Sequence, residues 1–207
     1  MKCRYLAKKN FYYLLPLIFL LSSCNETQTI PKLSNDAIIL AFGDSITYGT
    51  GARPSESYPA ILEKLTNRTV INAGNPGEIS ASGLNRLGVT LNKYQPALLI
   101  LCHGGNDILH KENIKQTEQN IRQMITMAQK KNIPVILMGI PNFGIFLHTA
   151  DFYRKIADDM VVVFAENIIT DVLSNASLKS DPVHPNAAGY QQIANQLALL
   201  LKESGAL

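Results

Sequence analysis

Metal-site patterns are missing from this chain. There is no HExxH and no CxxC, and no pair of His, Cys, Asp or Glu stands at zinc spacing. The pair Gly104-Gly105 is not followed by the Gly-Lys-Ser/Thr that a phosphate loop needs. No metal and no cofactor is therefore expected. Internal repeats and low-complexity segments are also lacking. Cysteine is scarce, at three in 207 residues. Acidic residues are absent from the first 23 positions, while Lys2, Arg4, Lys8 and Lys9 all fall there.

That imbalance has a local cause. Leu14 to Leu21 is an apolar run, and the small residues Ser22 and Ser23 follow it before Cys24. A cationic head, a short apolar stretch and a small-residue end form the secretory signal pattern. Phe11 to Leu21 is about half of the roughly 20 apolar residues that a membrane span needs. The ending Leu21-Ser22-Ser23-Cys24 resembles a bacterial lipobox, which implies lipidation of Cys24. The expected organisation is a signal over residues 1–23, a polar tether over 24–35 and one domain over 36–207. The expected place is the bacterial cell envelope, with the protein anchored to a membrane through lipid on Cys24. Removing the signal takes four bases and no acid from a chain of 19 Lys+Arg and 16 Asp+Glu, so a net charge of +3 becomes −1. The apparent basicity belongs to the export signal, and no nucleic-acid partner is expected. Cys3 leaves with the signal and Cys24 is acylated, so Cys102 is left without a partner for an intrachain disulfide. It closes the apolar run Ala97 to Cys102 and reads as a buried, inert thiol.

The mature chain alternates between two patterns. Apolar runs at Ala37 to Phe42, Thr69 to Asn72, Ala97 to Cys102, Pro134 to Met138 and Val161 to Phe164 read as strands. Helical patterns lie between them, at Tyr58 to Leu65, Ser80 to Tyr94, Lys115 to Lys131 and Asp151 to Asp159. A last helix runs from about Asn186 to Glu203, with Ile193, Ala194, Leu197 and Leu200 on its buried face. Short apolar strands alternating with helices predict a parallel sheet covered on both faces. The expected fold class is α/β, a flavodoxin-like three-layer α/β/α arrangement around five parallel strands.

Ligands of such sheets bind beyond the carboxyl ends of the strands. Gly43-Asp44-Ser45 follows the first strand, and Asn72-Ala73-Gly74-Asn75-Pro76-Gly77 follows the second. His103-Gly104-Gly105-Asn106-Asp107 follows the third. These polar, glycine-rich loops converge on one edge. Acyl transfer needs a nucleophile, a base, an acid that orients the base, and donors for an oxyanion. Ser45 can attack, His184 can take its proton, and Asp181, three residues earlier, can hold the imidazole. The backbone N–H groups of Ser45 and Gly77 and the amide of Asn106 are the candidate oxyanion donors. Taken singly, each has a plainer reading as a turn glycine, an Asx turn or a helix cap.

In order, Gly43-Asp44-Ser45, Gly77, Asn106 framed by Gly105 and Asp107, and Asp181-x-x-His184 resemble the four blocks of the SGNH (GDSL) hydrolases. The resemblance covers residues 37 to 203 and is nearest to the bacterial lysophospholipase, thioesterase and arylesterase branch. It implies a flavodoxin-like fold, with Ser45, Asp181 and His184 as catalytic residues and Ser45, Gly77 and Asn106 as the oxyanion hole. Two departures stand out. His103 occupies a position where that branch usually shows Leu, which adds a titratable group near the crevice. The stretch between Met138 and Val161 is shorter than in lysophospholipase-like members.

The expected function is a serine esterase acting on lysophospholipids, short- to medium-chain esters or acyl thioesters. The expected partner is thus a small acyl ester or lipid, and the oligomeric state is left open. A carbohydrate O-deacetylase and a non-catalytic binding lipoprotein are the alternatives. Phe143, Ile145, Phe146 and Leu147 read equally as core packing or as an acyl-binding flap. His110 and His148 read as solvated loop residues.

Overall fold

A computed structural model describes residues 28–144 and 146–207. The expected signal, Cys24 and Ile145 lie outside the described residues. The first apolar run forms β1 (Ile38–Gly43), followed by the single turn α1 (Ser45–Tyr48) and then α2 (Tyr58–Thr66). Next come β2 (Thr69–Gly74), α3 (Ser80–Tyr94) and β3 (Leu98–Cys102). α4 (Gly105–His110), α5 (Ile114–Gln129) and β4 (Val135–Met138) follow. A hairpin of two-residue strands, β5 (Pro141–Asn142) and β6 (His148–Thr149), leads into α6 (Asp151–Met160). β7 (Val163–Ala165), α7 (Ile168–Ser174) and α8 (Ala187–Glu203) complete the chain.

The five long strands pair in parallel in the order β2-β1-β3-β4-β7. This is the doubly wound, flavodoxin-like order. α3, α5 and α6 pack together on one face, and α2, α7 and α8 on the other. Every residue of β3 is wholly buried, which is why it reads as an unbroken apolar run. Truncating a buried residue there, such as Ile100, costs about 2–5 kcal/mol.

Several expected boundaries move. β2 runs on to Gly74, so Ala73 and Gly74 belong to the strand and not to the loop after it. Val161 caps α6 at φ +53°, and the last strand starts two residues later. On α8 the buried face is completed by Leu201, while Leu200 is only partly covered. The last residues of the expected tether are not free. Ile30 and Leu33 are buried and belong to the hydrophobic core. Their backbone N–H groups donate to Ser204 O (2.8 Å) and Ala206 O (2.9 Å).

Candidate active site

Ser45 owes its position to the two residues before it. A Cβ on Gly43 would sit 2.1 Å from Cys102 O, so only glycine lets β1 end this close to β3. Asp44 then caps α1, its Oδ1 accepting from the Ile46 N–H at 3.2 Å. Ser45 becomes the first residue of a helical turn just beyond the carboxyl edge of the sheet, where open α/β sheets hold ligands. Its backbone N–H is one of the orphan donors of a helix start and meets no acceptor among the described residues.

The loop before α8 brings the candidate base, His184, to it. Asp181 Oδ1 accepts from the N–H groups of Val183 and His184, both at 2.9 Å, which folds the segment into a tight turn. Asp181 Oδ2 accepts from His184 Nδ1 at 2.7 Å, and His184 Nε2 stands 2.9 Å from Ser45 Oγ. With Nδ1 donating to the carboxylate, Nε2 is the free acceptor for the serine proton. Burial acts to raise the Asp181 pKa, but the Val183 N–H and His184 outweigh it and hold the carboxyl below its ordinary value. Two further contacts fix this loop. Asn186 caps α8 through the Gly189 N–H (3.0 Å), and Tyr190 OH donates to Thr50 O (2.8 Å) on the Ser45 side.

The remaining two predicted residues line the same cavity. Gly77 adopts φ +76°, a conformation that L side chains rarely take, and its N–H has no acceptor among the described residues. Asn106 lies in the first turn of α4, not in the loop the sequence suggested. Its Nδ2 donates to Asp44 Oδ2 (3.2 Å) and to Glu78 O (3.0 Å), so both amide hydrogens are engaged in this state. Burial pushes the Asp44 carboxyl up from its ordinary range, although His103 and the Ile46 N–H oppose it.

Beneath these donors lies a polar cluster that the sequence did not reveal. Arg86 binds Glu78 through Nε (2.9 Å) and Nη2 (2.6 Å), and Nη2 also donates to Ala73 O (3.1 Å). The guanidinium stacks on the Phe42 ring, 4.1 Å from its centre. Asn75 Nδ2 donates to Glu78 Oε1 at 3.0 Å. His103 does not reach the crevice; it is fully buried and its Nε2 faces Glu78 Oε2 at 3.1 Å. Because its Nδ1 accepts from the Gly104 N–H (3.1 Å), Nε2 carries the hydrogen and donates to Glu78. The ring fits only because residue 83 is glycine, whose Cβ would lie 2.2 Å from Nε2. Burial alone would raise the Glu78 pKa, but His103, Arg86 and Asn75 together lower it to about 2. Asp107, also buried, ties three helices, accepting from Ser80 N–H (2.8 Å), Ser80 Oγ (2.5 Å) and Thr117 Oγ1 (3.1 Å). Beside His103 itself, an acid straight after the turn glycine and an arginine two helical turns later were the sequence signals for this cluster.

Ser45, Gly77, Asn106 and His184 open onto one cavity of about 250 Å³, lined also by Ile46, Leu109, Phe143 and Val183. Phe143 and Val183 are shared with a second cavity of about 470 Å³, which Phe146, Leu147, Leu173 and Pro182 border. The segment from Phe143 divides its labour: Phe143 and Leu147 pack partly against the core, and Phe146 is 85 % exposed. His148 is in β6 and exposed, with Nε2 3.2 Å from Asn142 Nδ2, and His110 is exposed at the end of α4.

Comparison with known proteins fits this geometry. Over 93 % of both chains it is 30 % identical to thioesterase 1/protease 1/lysophospholipase L1 of Escherichia coli (strain K12). It is 34 % identical to the esterase TesA of Pseudomonas aeruginosa over 133 residues, 60 % of this chain and 66 % of that one. The fold superposes with a TM-score of 0.72 on the psychrotrophic esterase EstA from Pseudoalteromonas sp., in a form inhibited by monoethylphosphonate. That likeness is at 24 % identity and covers 81 % of this chain and 98 % of the other. Residues 41–192 match the GDSL-like lipase/acylhydrolase family. The matched region runs from β1 into α8 and contains every residue of the cavity, so the chain belongs to that family and is a serine ester hydrolase.

Proposed function

We propose that Ser45 is the nucleophile of this hydrolase, His184 its base and Asp181 the residue that orients the base. The observation that carries the reading is the unbroken hydrogen-bond chain from Asp181 through His184 to Ser45, drawn together across 139 residues of sequence. Ser45 Oγ attacks the acyl carbon while its proton passes to His184 Nε2. The oxyanion accepts from the unpaired N–H groups of Ser45 and Gly77. Asn106 joins them by turning one amide hydrogen away from Asp44, the longer of its two bonds. His184 then protonates the leaving alcohol or thiol and draws a proton from the water that cleaves the acyl-enzyme. Asp181, held ionised, stabilises the imidazolium each time it forms.

The substrates are acyl esters of short to medium chain, with lysophospholipids and acyl thioesters in the wider range. The small, mostly apolar cavity beside Ser45 supports this range, as do the names of the relatives from Escherichia coli and Pseudomonas aeruginosa. The chain is exported, loses residues 1–23 and is held in the cell envelope by lipid on Cys24. Hydrolysis of a p-nitrophenyl acyl series tests the catalytic reading. Ser45→Ala should lower kcat by about 10³-fold or more, and unchanged activity would sink the assignment. Cys24→Ala should release the protein from membranes; a variant still bound there would rule out the anchor.

A further inference from the structure

The chain holds its N-terminal segment and its Ser45 cavity at opposite edges of the sheet. Ile30 and Leu33 are stitched to Ser204 and Ala206, past the end of α8. Arg68, just before β2, donates to Ser34 O and Leu33 O, both at 3.2 Å, and the Ala37 N–H donates to Ser34 O before β1 begins. These contacts all lie at the amino ends of the strands. Gln28 is there too, sharing a cavity with Val162, Val163, Glu203 and Ser204. Ser45 and His184 stand at the carboxyl ends. α8 measures the separation, since it begins three residues after His184 and stops one residue short of Ser204. Its 17 residues span about 25 Å. β1, between Ser34 and Ser45, gives an independent minimum of about 17–20 Å.

Three residues separate Gln28 from Cys24, and the four steps between them, fully extended, reach at most about 14 Å. A lipid on Cys24 therefore keeps Gln28 within that distance of the bilayer. Pressing the cavity mouth onto the same bilayer would require Gln28 to stand about 25 Å or more above it. The tether is too short. We infer that the anchored enzyme presents Ser45 away from the membrane that holds it. It takes acyl esters that arrive from the aqueous side and does not draw lipids from its own leaflet. This orientation rests on the proposed lipidation of Cys24.

The full chain, purified from membranes and reconstituted in phosphatidylcholine vesicles, provides the test. The mass of its N-terminal peptide shows whether Cys24 carries acyl chains; without them the anchor and the orientation fall together, whatever the rates. With them, the probe is a fluorogenic short-chain ester coupled to a phospholipid headgroup. It is offered in the enzyme's own vesicles, in separate vesicles, and as the same ester free in solution. Hydrolysis should be no faster in the own vesicles than in separate ones. A Gly/Ser linker of about 24 residues inserted after Cys24 extends the reach to roughly 80 Å. It should raise the own-vesicle rate about tenfold through effective concentration, and leave the free-ester rate unchanged. An own-vesicle rate far above the separate-vesicle rate with the native tether would overturn the orientation. A fluorophosphonate, which forms an O–P bond with Ser45 and releases fluoride, should abolish all three rates; rates that persist in the labelled enzyme count only against Ser45 as nucleophile.

Discussion

The two sides of the cavity are built on different principles. His184 and Asp181 belong to a half-exposed turn whose shape is set mainly by local bonds from Asp181 to Val183 and His184. Gly77 and Asn106 rest instead on a polar cluster around the buried Glu78 and His103, drawn from the ends of β1, β2 and β3 and from α3, in which Glu78 is the common acceptor. A base that shuttles a proton needs one good contact on each nitrogen. Oxyanion donors must instead stay aimed at a point while charge develops, which calls for dipoles fixed in advance. The base side should therefore be fragile in activity and robust in stability, and the donor side fragile in both.

The largest effect sharpens that contrast. His184→Ala should reduce kcat on p-nitrophenyl esters by about 10³-fold or more. It should cost only about 1–2 kcal/mol of unfolding free energy, because the half-buried ring gives up two hydrogen bonds and no paired buried charge. A large fall in stability would mean that the turn is structural and would break the comparison. Asn106→Ala comes next, with a loss of about 10²–10³ in kcat and little change in KM. It is smaller because the Ser45 and Gly77 N–H groups remain. Glu78→Ala should act on stability first, costing about 3–5 kcal/mol, because the Arg86 charge and the buried His103 Nε2–H lose their acceptor. Chemical denaturation of the three variants side by side checks the order.

The same contrast separates what the sequence made legible from what it did not. Ser45 could be found because apolar strands alternate with helices, which sends every loop after a strand to one edge of the sheet. Gly77 and Asn106 followed from the same rule. Asp181 and His184, between α7 and α8, were found instead by their residue types and close spacing before the last helix. The Glu78 cluster could not be found in either way. His103, Arg86 and Glu78 meet only because β3 ends beneath α3, and the space for the ring depends on the missing Cβ of Gly83. His103 was expected near the crevice and lies just beneath it, buried in the floor. α7 was missed for another reason: five of its seven residues are buried, so no amphipathic period marks it. α4 was hidden behind Gly104 and Gly105, which read as a loop although Gly104 serves as the helix cap.

The smallest effect isolates the charge on Glu78. Glu78→Gln preserves the side-chain shape and the contact to His103 but removes the ionic partner of Arg86, at a cost of about 1–3 kcal/mol near neutral pH. The folded pKa of Glu78 is lowered from its ordinary 4.5 to about 2. A depressed carboxyl stabilises the fold while the pH is above the unfolded value. That contribution drains away as the pH falls from 4.5 towards 2, because the unfolded chain takes up the proton first. The wild type should therefore melt above Glu78→Gln at pH 7, and the gap in Tm should close over this acidic window. Other carboxyls titrate there as well, but both proteins share them, so the difference reports Glu78 alone. A gap that persisted unchanged to pH 2 would show that the loss in Glu78→Gln comes from the amide N–H groups facing the donors of the cluster and not from the missing charge, and the donor side of the cavity would then be no more ionic than the base side.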